Sequence, residues 1–288
     1  MALTVDAAFN GFFDAINLAG DHRETANTRR EAIVSLLKND FDIVDSFATG
    51  SIPKYTALAG NCDLDVIVVL HYGKHMKDKK PSEVLSAVRS KLSKYRTGAR
   101  RNGQAVTLSY TTWPDVDIVP VYYSHDDQGN ITHYNVPNEK TETWIKARPK
   151  EFAASIEEKA SVCGQNFRRI IKMAKHWNRT HGDYLQSYHV EVLALKVFPE
   201  TDLSDTPWQV FRFFEDAKAL LATPLWHDQG FADAYLSWSD RQEALKRFDT
   251  AISYARSGWH ELYKDKKGHG AAIEQWKKLF GDKFPPYG

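Results

Sequence analysis

The chain has 288 residues, 42% of them hydrophobic and 26% charged, enough to bury a sizeable core in one large domain or two lobes. Its 38 basic and 37 acidic residues leave a formal net charge of +1, so no global excess exists to drive duplex binding by counterion release. The N-terminal six residues carry no basic stretch ahead of an apolar run and no segment approaches the length of a bilayer span, so a cytoplasmic protein without a membrane partner is expected.

In chain order, helical patterns occupy 7–19 and 27–37, and a strand pattern follows at 41–47. That strand runs into Gly50-Ser51. A glycine there lets backbone amides approach an anion closely, and the Ser51 hydroxyl adds a donor for a phosphate. The next run, Asp63-Leu64-Asp65-Val66-Ile67-Val68-Val69-Leu70, is β-branched and apolar and reads as a buried strand. Alternate side chains of a strand share a face, so Asp63 and Asp65 project together while Leu64 and Val66 point the other way. Two carboxylates held that close repel unless cations neutralise them.

After a solvated basic loop, 74–80, a helix is expected at 82–95, with Pro81-Ser82-Glu83 as its start signal. A second basic run, 94–101, ends that helix, where cations complement the dipole. Strands are expected at 105–110, 116–123 and 131–134, the last two joined by a hairpin turn at 126–130. Asp117 stands in the middle one and is the candidate third carboxylate. Asp115 lies on the same face by the period of two, so the choice between them stays open, although Pro114 places Asp115 at the strand entrance and favours Asp117.

Beyond Arg148-Pro149-Lys150 the pattern turns almost wholly helical, at 151–161, 165–179, 188–197, 208–221, 241–257 and 271–280, punctuated by Pro199, Pro207 and Pro224. The fold class is therefore α+β, with a mixed-sheet lobe over 1–150 and a helical lobe over 151–288, and a ligand cleft is expected at the lobe junction. Cys62 and Cys163 have no metal-binding spacing and read as free thiols. The tail Gly281 to Gly288, with two prolines and a terminal glycine, reads as a disordered end.

A Gly-Ser pair alone is more often a turn, and Asp-Leu-Asp alone more often a solvated strand end. Joined in this order, with strand signals around every acid, Gly50, Ser51, Asp63, Asp65 and Asp117 read as a two-metal site. Hard oxygen ligands suit magnesium, which keeps several waters and completes its shell with substrate phosphates; two Mg2+ ions are expected, with Mn2+ as a substitute.

The string Gly50-Ser51, Thr56, Asp63-Leu64-Asp65-Val66 and Val116-Asp117-Ile118-Val119-Pro120 resembles the DNA polymerase β-like nucleotidyltransferases, in particular the branch containing cyclic GMP-AMP synthase and oligoadenylate synthase. A second block, from Ile171 through Lys175 to Asn178 and from Gln186 through Ser187 and Tyr188 to Ala194, is similar to the helical-lobe signature of the bacterial CD-NTases, the enzymes of CBASS anti-phage systems. The resemblance implies a polymerase β-like lobe plus an oligoadenylate-synthase-like helical lobe. Asp63 and Asp65 would bind both magnesium ions, and Asp117 the catalytic one. Gly50 and Ser51 would cradle the donor phosphates, Lys175 and Ser187 would reach the triphosphate, and Tyr188 would stack on the donor base. A lysine suits phosphate as a point charge, and an aromatic ring stacks on any base.

The implied activity is transfer of a nucleoside monophosphate from ATP or GTP, with pyrimidine triphosphates also admitted, to a ribose hydroxyl, closing a cyclic di- or trinucleotide that activates a separate effector during phage infection. The alternative is a linear oligonucleotide synthase or another polymerase β-like transferase acting on RNA or small molecules. Without a zinc-binding His and Cys cluster, activation by nucleic acid is not expected. Gly288 would suit conjugation by a ubiquitin-transfer-like partner.

Overall fold

The computed structural model describes residues 2–20, 22–60, 62–112, 114–199, 203–264 and 268–288. The chain divides into two compact units, one of Gly20–Tyr55 and Asn61–Ala154, the other of Met1–Ala19, Thr56–Gly60 and Ser155–Gly288. By contacts, the first unit ends at Ala154, inside a helix that spans Pro149–Cys163, and the stretches Met1–Ala19 and Thr56–Gly60 group with the helical unit.

The reason lies in α1 (Val5–Ile16), which begins at Thr4, whose Oγ1 accepts the Ala7 N–H at 3.1 Å. Its fully buried Phe9 and Phe12 pack on Phe280 and Phe284, with ring centroids 4.5–6.2 Å apart. Burying two such rings is worth about 1.5–3 kcal/mol each. That aromatic seam, formed with residues near the other end of the sequence, decides the membership of α1.

The sheet unit contains α2 (Arg23–Leu37), β1 (Ile43–Thr49), β2 (Leu64–Leu70), a single π turn (Tyr72–Met76), α3 (Pro81–Tyr95), β3 (Arg100–Asn102), β4 (Ala105–Leu108), β5 (Val116–His125), β6 (Ile131–Asn138) and β7 (Thr143–Ala147). The sheet runs β1-β2-β5-β4-β3, with β6 paired to β5 and β7 to β6. Only β2 and β5 are parallel; the other pairs are antiparallel. One sheet face buries Leu64, Val66, Val68, Val116 and Ile118, none more than 1% exposed. The opposite face carries Ile67, Val69, Val121, Tyr134 and Val136, with Phe47 and Val119 packed against them. Val, Ile and Leu on both faces explain why β2 reads as an unbroken apolar run.

The start of α3 is as expected: Pro81 opens it and Glu83 Oε2 accepts the Lys80 N–H at 2.7 Å. The hairpin turn also forms, Asp126 Oδ1 accepting from the backbone of Gln128 and Asn130. Two expectations change. The basic loop at 74–80 begins inside the π turn because Met76 is drawn into the core, and the basic run at 94–101 ends in β3.

The helical unit continues from α4 (Pro149–Cys163) through α5 (Asn166–Thr180), α6 (Ser187–Val197), α7 (Thr206–Leu221), a two-stranded hairpin of β8 (Trp226–His227) and β9 (Gly230–Phe231), α8 (Trp238–Tyr263) and α9 (His269–Phe280). The tail is packed, which corrects the disordered reading: Phe284 is fully buried and stacked on Phe280, and Tyr287 O accepts the Leu3 N–H at 3.1 Å. Gly288 is exposed. Cys163 is a buried free thiol, and among the described residues no helix is long and apolar enough to cross a membrane.

Candidate active site

The β2–β5 register sets Asp65 directly beside Asp117 on neighbouring parallel strands. By alternation both share the face of Ile67, Val69, Val119 and Val121, so they are the polar end of an otherwise apolar surface. Asp63 precedes β2 by one residue and is exposed. On the other side of β2, Thr49 pairs with Asp65, and the chain then turns at Gly50 with φ +79°. A Cβ on Gly50 would collide with Asp65 Oδ2, so only glycine lets the turn lie against that carboxylate. Ser51 to Tyr55 form consecutive turns, closed by the Tyr55 N–H to Ile52 O at 3.0 Å.

Asp115 and Asp117 differ in their partners. Asp115 Oδ1 accepts the Tyr110 N–H at 2.7 Å and braces the loop ahead of β5. Asp117 pairs with Thr107 of β4, and the buried Thr107 hydroxyl donates to Asp117 Oδ1 at 2.5 Å.

Among the described residues no three His, Cys, Asp or Glu side chains are gathered into a metal cluster. Of the expected ligand set, Asp65 and Asp117 are partners in the β2–β5 register and Asp63 stands just ahead of β2. The fit to a hard divalent cation rests on the donor set: two carboxylates in register, a third at the strand entrance, and a glycine turn packed against one of them.

In the helical unit, Ser187 and Tyr188 begin α6 and are exposed. The loop before them is fixed by Asn178, whose side chain donates to Asp183 and to Leu185 O and accepts the Leu185 N–H. Tyr235 adds a second brace: its hydroxyl accepts the Gln186 N–H at 2.8 Å and lies 3.0 Å from His189 Nδ1. The first amides of a helix favour an anion, which suits a serine at this point to a phosphate. Tyr188 meets the His227 ring edge-on, with centroids 6.2 Å apart. Although Tyr188 is 38% exposed as a residue, partial burial of its phenol, then Asp228 and Glu191, push that group up to about 12, so it stays neutral in ordinary buffers.

Lys175 is placed differently from a surface cation. It is 3% exposed, and its Nζ lies 2.6 Å from Glu191 Oε1, 3.1 Å from Thr56 Oγ1 and 3.3 Å from Thr56 O. The Thr56 hydroxyl in turn donates to Glu191 Oε1 at 2.5 Å. To reach a triphosphate, Lys175 would have to leave acceptors that match its three protons in number.

The profile of the Second Messenger Oligonucleotide or Dinucleotide Synthetase domain matches residues 3–160, more than half of the chain. The chain belongs to this family. It is a bacterial CD-NTase and hence a nucleotidyltransferase. A probable cyclic nucleotide synthase of Bacillus cereus is 23% identical, with 100% of this chain and 99% of that protein covered. The CBASS oligonucleotide cyclase CdnC of Escherichia coli is 26% identical over 64% of this chain and 62% of its own. Among solved structures, E. coli MS115-1 CdnC with ATP superposes with a TM-score of 0.78 at 18% identity, covering 98% of this chain and 99% of that one. The fold of this CD-NTase is accordingly the polymerase β-like one with a C-terminal helical region.

Three residues of this CD-NTase were not singled out as site residues from the sequence. Thr107, which orients Asp117, sits in an apolar strand where a lone hydroxyl is the only signal. Glu191 was detectable as a carboxylate inside the apolar helix segment Val190 to Ala194, since buried acids are nearly always paired. Tyr235 lies in the link between β9 and α8 and gives no periodic signal.

Proposed function

We propose that this CD-NTase is a magnesium-dependent synthase that joins nucleoside triphosphates into a cyclic di- or trinucleotide messenger for CBASS anti-phage signalling. The observation that carries this reading is the in-register pairing of Asp65 with Asp117, with the Gly50 turn against the Asp65 carboxylate. Asp63, Asp65 and Asp117 would hold the metal. Bound there, magnesium would lower the pKa of the attacking hydroxyl and neutralise charge on the departing phosphates.

The protein's own groups supply position. Gly50 offers backbone approach and Ser51 a hydroxyl to the donor phosphates. Thr107 keeps one Asp117 oxygen engaged, which fixes the orientation of that carboxylate. Ser187 at the start of α6 would add a phosphate contact, and Tyr188 a stacking face for the base. The structure of a CdnC relative with ATP supports a nucleoside triphosphate as substrate.

The test is incubation with the four labelled nucleoside triphosphates and magnesium. Phosphatase-resistant product, absent from Asp65→Asn, is the expected result. A product that phosphatase degrades would favour a linear oligonucleotide synthase, and equal synthesis by Asp65→Asn would remove the reading altogether.

A further inference from the structure

We infer that Tyr235 and His189 are positioning residues for the donor nucleotide, joined through the tyrosine hydroxyl into a bridge that closes over Ser187 and Tyr188 and sets how both side chains are presented. The inference deepens the transferase reading and rests on it. Every residue involved belongs to the helical unit.

The bridge is built at the first turn of α6, where Gln186 is the N-cap and His189 the third helical residue. In a capping box the side chain at that third position turns back to accept the N-cap N–H. Here a hydroxyl stands between the two: Tyr235 accepts the Gln186 N–H at 2.8 Å, and its oxygen lies 3.0 Å from His189 Nδ1. Burial lowers the His189 imidazole to about 4, so the ring is neutral and Nδ1 can take the one proton that the hydroxyl has to give. Ser187 and Tyr188, both exposed, are the two residues spanned. With a backbone amide before them and a buried ring after them tied to one oxygen, the turn that carries them has little freedom, and pre-set geometry of this kind is what a binding contact needs.

Tyr235 is itself held. Asp233, 4% exposed, accepts the Leu225 N–H at 3.0 Å and pairs with Arg241 of α8, and the Leu236 N–H returns to the Asp233 carbonyl at 2.9 Å. Arg241 also donates to Leu221 O at 2.7 Å. The hydroxyl therefore reaches the start of α6 from a pinned link, and the Tyr235 ring meets His189 edge-on with centroids 5.9 Å apart. For stability alone the arrangement is a poor choice. His189 is fully buried, and its Nε2 finds no hydrogen-bond partner among the described residues, a cost that leucine would avoid. Such departures from local consistency are expected where a residue serves function.

The experiment measures calorimetric Kd for a non-hydrolysable nucleoside triphosphate with magnesium, and Tm, for Tyr235→Phe in two backgrounds, wild type and Ser187→Ala/Tyr188→Ala. A second pair, His189→Leu and His189→Asn, is measured in the same way. Asparagine Oδ1 lies as many bonds from Cα as histidine Nδ1 and can accept from Tyr235 in its place.

The expected result is about five-fold weaker triphosphate binding by Tyr235→Phe in the wild-type background and almost no further loss in the other, where the residues it acts through are gone. His189→Leu is expected to show the same loss, and His189→Asn to bind within about two-fold of wild type. Equal weakening by Tyr235→Phe in both backgrounds marks a direct nucleotide contact, and a lower Tm with unchanged Kd marks a purely structural role; either overturns the inference. Equal affinities of His189→Leu and His189→Asn overturn it as well, and that pair decides the matter where Tyr235→Phe does not fold. A Ser187→Ala/Tyr188→Ala protein that binds like the wild type removes the subsite and the inference with it. Wild-type protein that binds the analogue yet makes no product overturns the transferase reading alone, because the affinity cycle still decides the bridge. No binding by the wild type overturns both.

Discussion

Gly50 lies flush against the Asp65 carboxylate, with a left-handed φ of +79° and no space for a Cβ. Two penalties therefore meet at one residue, backbone strain and collision with a functional oxygen. Gly50→Ala should lower stability by about 1–3 kcal/mol and nucleotidyl transfer by about a hundred-fold, since misplacing a reacting group by an ångström has that effect. Gly60 is the control: its φ is +72° but nothing lies within 4 Å of a Cβ, so Gly60→Ala should show the strain without the loss of activity. Urea denaturation and a product assay on both variants separate the two terms.

Asp65 and Asp117 are register partners on neighbouring strands. In EDTA-treated protein, Asp65→Asn should thus raise stability by about 1 kcal/mol through lost repulsion, while abolishing transfer by about a hundred-fold or more. Magnesium should stabilise the wild type against heat and leave the variant unmoved. Asp115→Asn still offers an oxygen to the Tyr110 N–H and should retain activity within about two-fold. Equal losses at Asp115 and Asp117 would contradict this assignment.

For Tyr188 the ring matters and the hydroxyl does not. Tyr188→Ala should weaken nucleotide binding by about 1–3 kcal/mol, the usual worth of one stacked base, and Tyr188→Phe should bind within about two-fold of wild type. Because burial, with Asp228 and Glu191, keeps the phenol neutral up to about pH 12, affinity should not follow its ionisation between pH 7 and 9. Titration of binding across that range checks it.

Acid should destabilise the helical unit through two histidines. Burial, aided by Lys283, lowers His176 to about 4, and burial lowers His189 to about 4. Between that value and the ordinary 6.5, the unfolded chain binds protons that the folded one refuses. Stability is therefore complete above about pH 6.5 and is lost as pH falls toward 4, by about 1–3 kcal/mol per histidine at the bottom of the window. His189→Gln should flatten the fall of Tm between pH 7 and 5. An unchanged slope in that variant would assign the acid sensitivity elsewhere.

The aspartates and the Gly-Ser turn were legible because a strand imposes a period of two that survives in the sequence, and because apolar residues flank each acid. The surroundings of Lys175 were not. Its neighbours Thr56 and Glu191 lie 119 and 16 positions away, and no local pattern announces a pairing across such distances. The same limit hid the allegiance of α1, whose aromatic residues meet partners near residue 280. The strands β3 and β7 escaped for a different reason: Arg100, Arg101 and Asn102 are all exposed, and β7 buries none of its residues, so neither carries apolar alternation.

The parallel pairing of β2 with β5 has a consequence for the order of assembly. Strands β4 and β5 are close in sequence and antiparallel, so they can pair early, whereas β2 must cross α3, β3 and β4 before it meets β5. Closing that longer loop is the slow entropic step. Asp65 and Asp117 are therefore expected to become neighbours late, when the sheet is nearly complete.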